Sequence, residues 1–185
     1  MSESSPHEIR TGSRRAFDGR LLHLRVDDVR LPSGRTSVRE VIEHPGSVAI
    51  LPITATGEIL LVRQYRYAVG RELLEIPAGL LDPGESPEAA ARRELREETG
   101  HEAGKLQLIT ACFPAAGFSN EHQTRFLATN CTPVPYDADP DEGISLVRMP
   151  LGELDARLAN NDELFQDGKT GFALLWYLWV TSRAE

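Results

Sequence analysis

Glu94, Glu97 and Glu98 fall within five residues of the run GLLDPGESPEAAARRELREETGH at positions 79–101, with Arg93 and Arg96 interleaved. On a helix these carboxylates stand at i, i+3 and i+4 and leave from one face, where like charges repel by tenths of a kcal/mol per pair. They also crowd the last turn before Gly100, where the macrodipole favours cations over anions. A bound cation would offset both penalties. Clustered oxygen donors suit Mg²⁺, Mn²⁺ or Ca²⁺, and His7, His23, His44, His101 and His122 show no spacing that would favour zinc. The competing reading is a solvated helix face of mixed charge.

The surrounding sequence must hold such a face in place. Ser86 is suited to cap a helix over residues 87–99 that begins at Pro87 and stops at Gly100. Ahead of it the loop AGLLDPGE carries Gly79 and Gly84, which can bring backbone groups close to a ligand. The segments ELLEIP at 72–77, ILLVRQYRY at 59–67 and GSVAILPI at 46–53 read as strands, the last fully buried. LLHLRVDDVRL, the turn PSGR and TSVREVIEH predict an earlier hairpin. Strands are expected near 106–113, 124–129 and 144–149, a helix at 151–159, and an apolar C-terminal helix around FALLWYLWV at 172–180. Trp176 and Trp179 are read there as core or interface packing. This order predicts an α+β or α/β sandwich. Residues 1–13 read as a flexible tail, and 14–185 as one domain with N-terminal strands at 14–45 and a catalytic core at 46–185.

A chain of 185 residues with 41% hydrophobic content can bury a substantial core. Its net charge of −8 argues against nucleic acid as the main partner. No apolar stretch approaches the roughly 20 residues that cross a bilayer, and the polar opening MSESSPHEIRTGSRR lacks a targeting pattern. No membrane partner and a cytoplasmic protein are therefore expected. Cys112 and Cys131 lack metal or redox spacing and read as buried or half-buried thiols.

The same acidic stretch resembles the Nudix box: a glycine, five residues, a glutamate, seven residues, then Arg-Glu-aliphatic-x-Glu-Glu-x-Gly. The matching residues are Gly79, Glu85, Arg93, Glu94, Leu95, Glu97, Glu98 and Gly100. The final box position is usually aliphatic and is His101 here. VREVIEHPGSVAILPI, ILLVRQYRYAVGRELLEIPAGL and FPAAGFSNEHQTRFLA are similar to segments of the ADP-ribose and ADP-sugar pyrophosphatase branch of Nudix hydrolases. That resemblance implies an α/β/α sandwich around a mixed sheet, with an N-terminal antiparallel portion that forms a homodimer. It departs at Ala116, where the branch carries a proline.

The resemblance implies Mg²⁺-dependent hydrolysis of the pyrophosphate bond of a nucleoside diphosphate sugar, with ADP-ribose giving AMP and ribose 5-phosphate. Mn²⁺ is a possible substitute metal. Glu94, Glu98 and the Ala78 carbonyl are implied as metal ligands, Glu97 as a ligand or water-mediated partner, and Glu85 and Arg93 as the residues orienting them. A late acidic loop supplies the base candidates Glu142 and Asp141, with Glu97 as the alternative. An anionic substrate calls for local cations, and RQYR offers Arg63 and Arg66, with Tyr65 and Tyr67 to stack on a base or ribose. Glu75, Phe118 and Glu121 are further substrate-binding candidates. Two alternatives stay open, a pyrophosphatase for another sugar nucleotide such as GDP-mannose and a sensor that binds ADP-ribose without cleaving it.

Overall fold

The computed structural model describes residues 7–135, 143–160 and 163–183, which divide into two compact units. The first unit comprises residues up to 46 together with 112–122. Its three-stranded antiparallel sheet runs β1 (Ile9–Asp18), β2 (His23–Arg30), β3 (Thr36–Glu43), in that spatial order. The predicted hairpin is β2 and β3, paired from His23 with Glu43 to Arg30 with Thr36. β1 takes in residues 9–13, which the sequence reading assigned to the tail. That segment is polar and almost wholly exposed, so it carries no alternation to betray a strand; pairing with β2 orders it instead. Within this unit the 114–121 loop is pinned to β3, since the Ile42 N–H donates to the Phe118 carbonyl at 2.8 Å.

The second unit comprises residues 47–111 and 123–185 and is built on a mixed sheet. Its central run is β11 (Ser145–Pro150), β5 (Glu58–Arg66), β4 (Ser47–Thr54), β10 (Gln123–Pro133) and β8 (His101–Glu102). β6 (Arg71–Glu75) pairs with β5, β7 (Ala78–Leu80) with β4, and β9 (Lys105–Cys112) with β10. β4 and β10 run parallel, and the other registered pairs are antiparallel. All eight residues of β4 are buried, as its unbroken apolar run predicts for a central strand.

Alternation along β4 divides the core into two layers. Ala49, Leu51 and Ile53 pack with Leu154, Leu164, Ala173 and Leu174 on one face, against α2 (Leu154–Ala159) and α3 (Gly168–Thr181). Val48 and Ile50 pack with Ala90, Ala91 and Leu95 of α1 (Pro87–Thr99) on the other. This is the expected α/β/α arrangement. Trp176 packs against the first layer, while Trp179 is more than half exposed and carries the Arg183 guanidinium over its ring. Among the described residues no helix is long and apolar enough to cross a membrane. Cys112 and Cys131 are free thiols, and burial pushes the Cys131 pKa up to about 11.

α1 has the predicted bounds. The Ser86 side chain accepts from the Ala89 N–H, an N-cap worth about 1 kcal/mol. Gly100 closes the helix in the left-handed region at φ 66°, with its N–H bonded to the Arg96 carbonyl. The predicted helix at 151–159 starts with a 3₁₀ turn over Leu151–Glu153 and is α-helical only from Leu154.

Candidate active site

α1 lies across the sheet so that its C-terminal half borders β7. A cleft of about 320 Å³ opens there, lined by Gln64, Arg66, Ala78, Gly79, Glu94 and Glu98 among others. The loop between β7 and α1 is folded around the Arg93 guanidinium. Nε and Nη2 bind the two Glu85 oxygens at 3.1 and 2.9 Å, and Nη2 also reaches the Leu80 carbonyl at 3.0 Å. Nη1 bonds Glu94 at 2.7 Å and Glu97 at 3.0 Å. One side chain thus joins strand, loop and helix. These charge-assisted bonds, first of all those with Glu85, raise the Arg93 pKa and hold the Glu85 carboxyl below its ordinary range.

The three glutamates of the opening motif go different ways from their shared face. Glu94 stands directly over Gly79, so close that a Cβ at that position would collide with the carboxylate. Glu98 accepts from the Ala78 N–H at 2.9 Å. The Glu97 side chain is 54% exposed and does not line the cleft. Among the described residues no three His, Cys, Asp or Glu side chains are gathered tightly enough to enclose a metal as they stand. Arg93 draws Glu94 toward itself, and the Ala78 amide draws Glu98. The donor chemistry still fits a hard divalent ion, because two carboxylates and the Ala78 backbone share one cleft with no sulfur or imidazole among the lining residues.

The pleat of β5 sorts the RQYR candidates. Gln64 and Arg66 follow Leu60 on the α1 side and line the cleft. Arg63 and Tyr65 follow Ile59 and Leu61 onto the opposite face. Arg63 is held there by Glu163 in a two-point ion pair, with bonds of 3.2 and 3.1 Å. Arg63 and Arg66 are three apart, so a strand cannot present both to one ligand. Tyr65 is half exposed and Tyr67 almost fully so, beyond the strand end.

Glu75 is 1% exposed. It accepts from Arg66 Nε and Nη2 at 2.7 and 2.8 Å and also pairs with Lys169, at the start of α3. Burial pushes its carboxyl up, but the Arg66 bonds and the Lys169 charge outweigh this and leave it lowered. The structure therefore brings Glu75 to the site as the partner of Arg66 and does not line the cleft with it. Phe118 and Glu121 belong to the first unit, where Phe118 is exposed and the Glu121 N–H donates to Ser119 Oγ at 3.1 Å. Glu142 and Asp141 lie outside the described residues. Lys169 was not a candidate from sequence: it is 94 residues from Glu75, and nothing local sets it apart.

His101 replaces the expected aliphatic contact with a polar one. It is 2% exposed, its Nδ1 donates to the Thr99 carbonyl at 2.6 Å, and its Nε2 accepts from Arg148 at 3.1 Å. Arg148 is in turn bonded to Glu58 at 3.2 Å. A carbonyl at the end of α1 is thereby satisfied by a neutral imidazole with its proton on Nδ1. Burial, with the Arg148 charge adding to it, lowers the His101 pKa from 6.5. Unfolded chains then bind a proton near pH 6.5 that folded ones refuse, so this contribution is full above pH 6.5 and is lost as pH falls below it. Urea titrations of wild type and His101→Leu from pH 6.5 down to about pH 5 should show a flatter stability profile in the variant. Parallel profiles would remove His101 as the titrating group.

Residues 43–167 match the NUDIX domain, and residues 8–42 match the nucleoside diphosphate sugar hydrolase N-terminal domain. The chain is 41% identical over 160 residues to the ADP-ribose pyrophosphatase of Bacillus subtilis (strain 168), covering 85% of each chain. It is 45% identical over 160 residues to the ADP-ribose pyrophosphatase of Mycobacterium tuberculosis (strain ATCC 25618 / H37Rv), covering 84% of this chain and 77% of the relative. A solved structure described as an ADP compounds hydrolase superposes with a TM-score of 0.83 at 25% identity, over 98% of both chains. With Gly79, Glu85, Arg93, Glu94 and Glu98 drawn together at one strand–loop–helix junction, these matches establish that the chain belongs to the Nudix hydrolase family.

Proposed function

We propose that this chain hydrolyses the pyrophosphate bond of a nucleoside diphosphate sugar, with ADP-ribose as the preferred substrate and AMP and ribose 5-phosphate as products. The observation that carries this reading is the cleft in which Glu94, Glu98 and Ala78 stand beside Arg66, acidic donors for a cation next to a cation for phosphate. The names of the relatives in Bacillus subtilis and Mycobacterium tuberculosis point to the same substrate. Nudix hydrolases in general require a divalent metal, and Mg²⁺ is the ion proposed here.

Glu94, Glu98 and the Ala78 carbonyl would hold the ion, with Glu97 as a ligand or water-mediated partner. When bound, it supplies Lewis-acid stabilisation of charge on the phosphate oxygens and acidifies water. Arg93 fixes Glu85, Glu94 and Glu97 against one another and so limits where these carboxylates can move when an ion binds. Arg66 commits Nε and Nη2 to Glu75 and retains Nη1 as a donor to a phosphate oxygen. Water adds to one phosphorus as the bridging P–O bond breaks, and its proton passes to a carboxylate, Glu142 first, then Asp141 or Glu97. The reading also includes a homodimer joined through β1–β3, supported by the nearly complete exposure of the outer strand β1, and a cytoplasmic setting.

Incubation with ADP-ribose and Mg²⁺ should release AMP, with a higher kcat/KM than for GDP-mannose. Binding without turnover, with either Mg²⁺ or Mn²⁺, would leave only a sensor. Glu98→Gln should cut kcat by about 100-fold or more while the fold is kept; turnover near wild type would refute its role. Gly79→Ala should push the Glu94 carboxylate aside and lower kcat roughly 10- to 100-fold. Its thermal melt should change little, because the colliding atoms end a flexible side chain. An unchanged kcat would mean that the position of Glu94 does not matter. Light scattering should give twice the chain mass, and a monomer would remove the dimer.

A further inference from the structure

We propose that Lys169 is a positioning residue for the substrate phosphates, acting through Glu75 on Arg66. The inference rests on the substrate reading above only in naming the ligand; its physical basis is a cluster of four charges in the second unit. Glu75 is a carboxylate with almost no access to water, and such a group is costly unless cations neutralise it. It has two. Arg66 covers it with a two-point pair from the cleft side, and Lys169 holds one of the same oxygens from the start of α3.

Lys169 also lies 3.1 Å from Asp167, but Asp167 is already provided for. It caps α3, accepting from the Thr170 N–H at 3.0 Å and the Thr170 hydroxyl at 2.5 Å, and it sits at the positive end of a 14-residue helix. Lys169 therefore bridges both carboxylates, and Glu75, the more deeply buried of the two and without a helix terminus to serve it, depends on that charge the more. Thr170, fully buried, also accepts from the Ile76 N–H at 2.8 Å, which locks the first turn of α3 to the chain directly after Glu75. That contact holds the Lys169 backbone beside its carboxylate.

The consequence falls on Arg66. Were Arg66 the sole cation beside Glu75, any phosphate that drew its guanidinium toward the cleft would leave a buried carboxylate uncompensated. With Lys169 in place Glu75 remains paired, so Arg66 can turn part of its charge to a ligand. The 94-residue separation of Lys169 from Glu75 makes α3 a remote support for the cleft.

Calorimetric titration of the full chain with ADP-ribose, in chelator so that no turnover occurs, tests this directly. Lys169→Met should weaken Kd roughly tenfold, and Lys169→Arg should restore it to within about twofold of wild type. In an Arg66→Ala background Lys169→Met should cause no further loss, because its effect passes through Arg66. A Lys169→Met Kd equal to wild type, or the same tenfold loss without Arg66, would overturn the proposal. If methionine prevents folding, Lys169→Gln replaces it in the same comparison. Inorganic pyrophosphate, titrated in parallel, separates this inference from the substrate reading. Coupled loss with pyrophosphate alongside no binding or cleavage of ADP-ribose sinks the substrate and keeps Lys169, while ADP-ribose turnover without the coupling does the reverse.

Discussion

The Arg93 guanidinium is the tie on which the candidate site depends. Its donors reach back to the Leu80 carbonyl, across to Glu85, and along its own helix to Glu94 and Glu97. Without that fork the 81–86 loop would have few reasons to fold against α1, and Glu94 and Glu97 would lose the guanidinium that joins them. A lysine could supply the charge but not the planar, multi-point geometry that fixes several carboxylates at once. The absent side chain at Gly79 completes the arrangement by letting Glu94 lie against the strand.

A chain of net charge −8 that handles a diphosphate must concentrate positive charge locally. It does so by pairing each cleft arginine with acid. Arg93 and Arg66 are both held by carboxylates, which orients them at little entropic cost; the five donors of Arg93 are all committed, while Arg66 gives only Nε and Nη2 to Glu75. The cleft thus holds acid and cation side by side, with Asp82, Glu94 and Glu98 lining it beside Arg66 and Arg93.

The helix with its caps, the buried strand β4 and the β2–β3 hairpin were legible because each rests on local rules: Ser86, Pro87 and Gly100 for the helix, an unbroken apolar run for the strand, a turn tetrapeptide for the hairpin. β1 was not, since a polar strand exposed on both faces carries no period. β7 and β8 were missed because three and two residues are too few to show one. Within the site, spacing singled out Glu94, Glu97 and Glu98, while Glu85, Arg93 and the other box positions came only with the resemblance to the Nudix box. Arg63 parts from Arg66 because side chains three apart on a strand point to opposite faces. The partnership of Glu75 with Lys169 was beyond reach, because it depends on where a helix nearly a hundred residues later begins.

The parallel pairing of β4 with β10 has a consequence for how the chain is made. β4 is buried along its whole length, and β5, reached through the short turn ending at Gly57, covers one of its edges early. The other edge meets β10 only after Gln123, 76 residues beyond Ser47, has been added. A ribosome adding about 5 to 20 residues each second leaves that apolar edge uncovered for several seconds. Over that interval the nascent protein carries an aggregation-prone edge that β7 does not cover, because β7 pairs with Ser47, Val48 and Ala49 on the side shared with β5. The short β7, beside holding Gly79 under Glu94, completes the β5 side of the central strand, and the other edge is left to β10 alone.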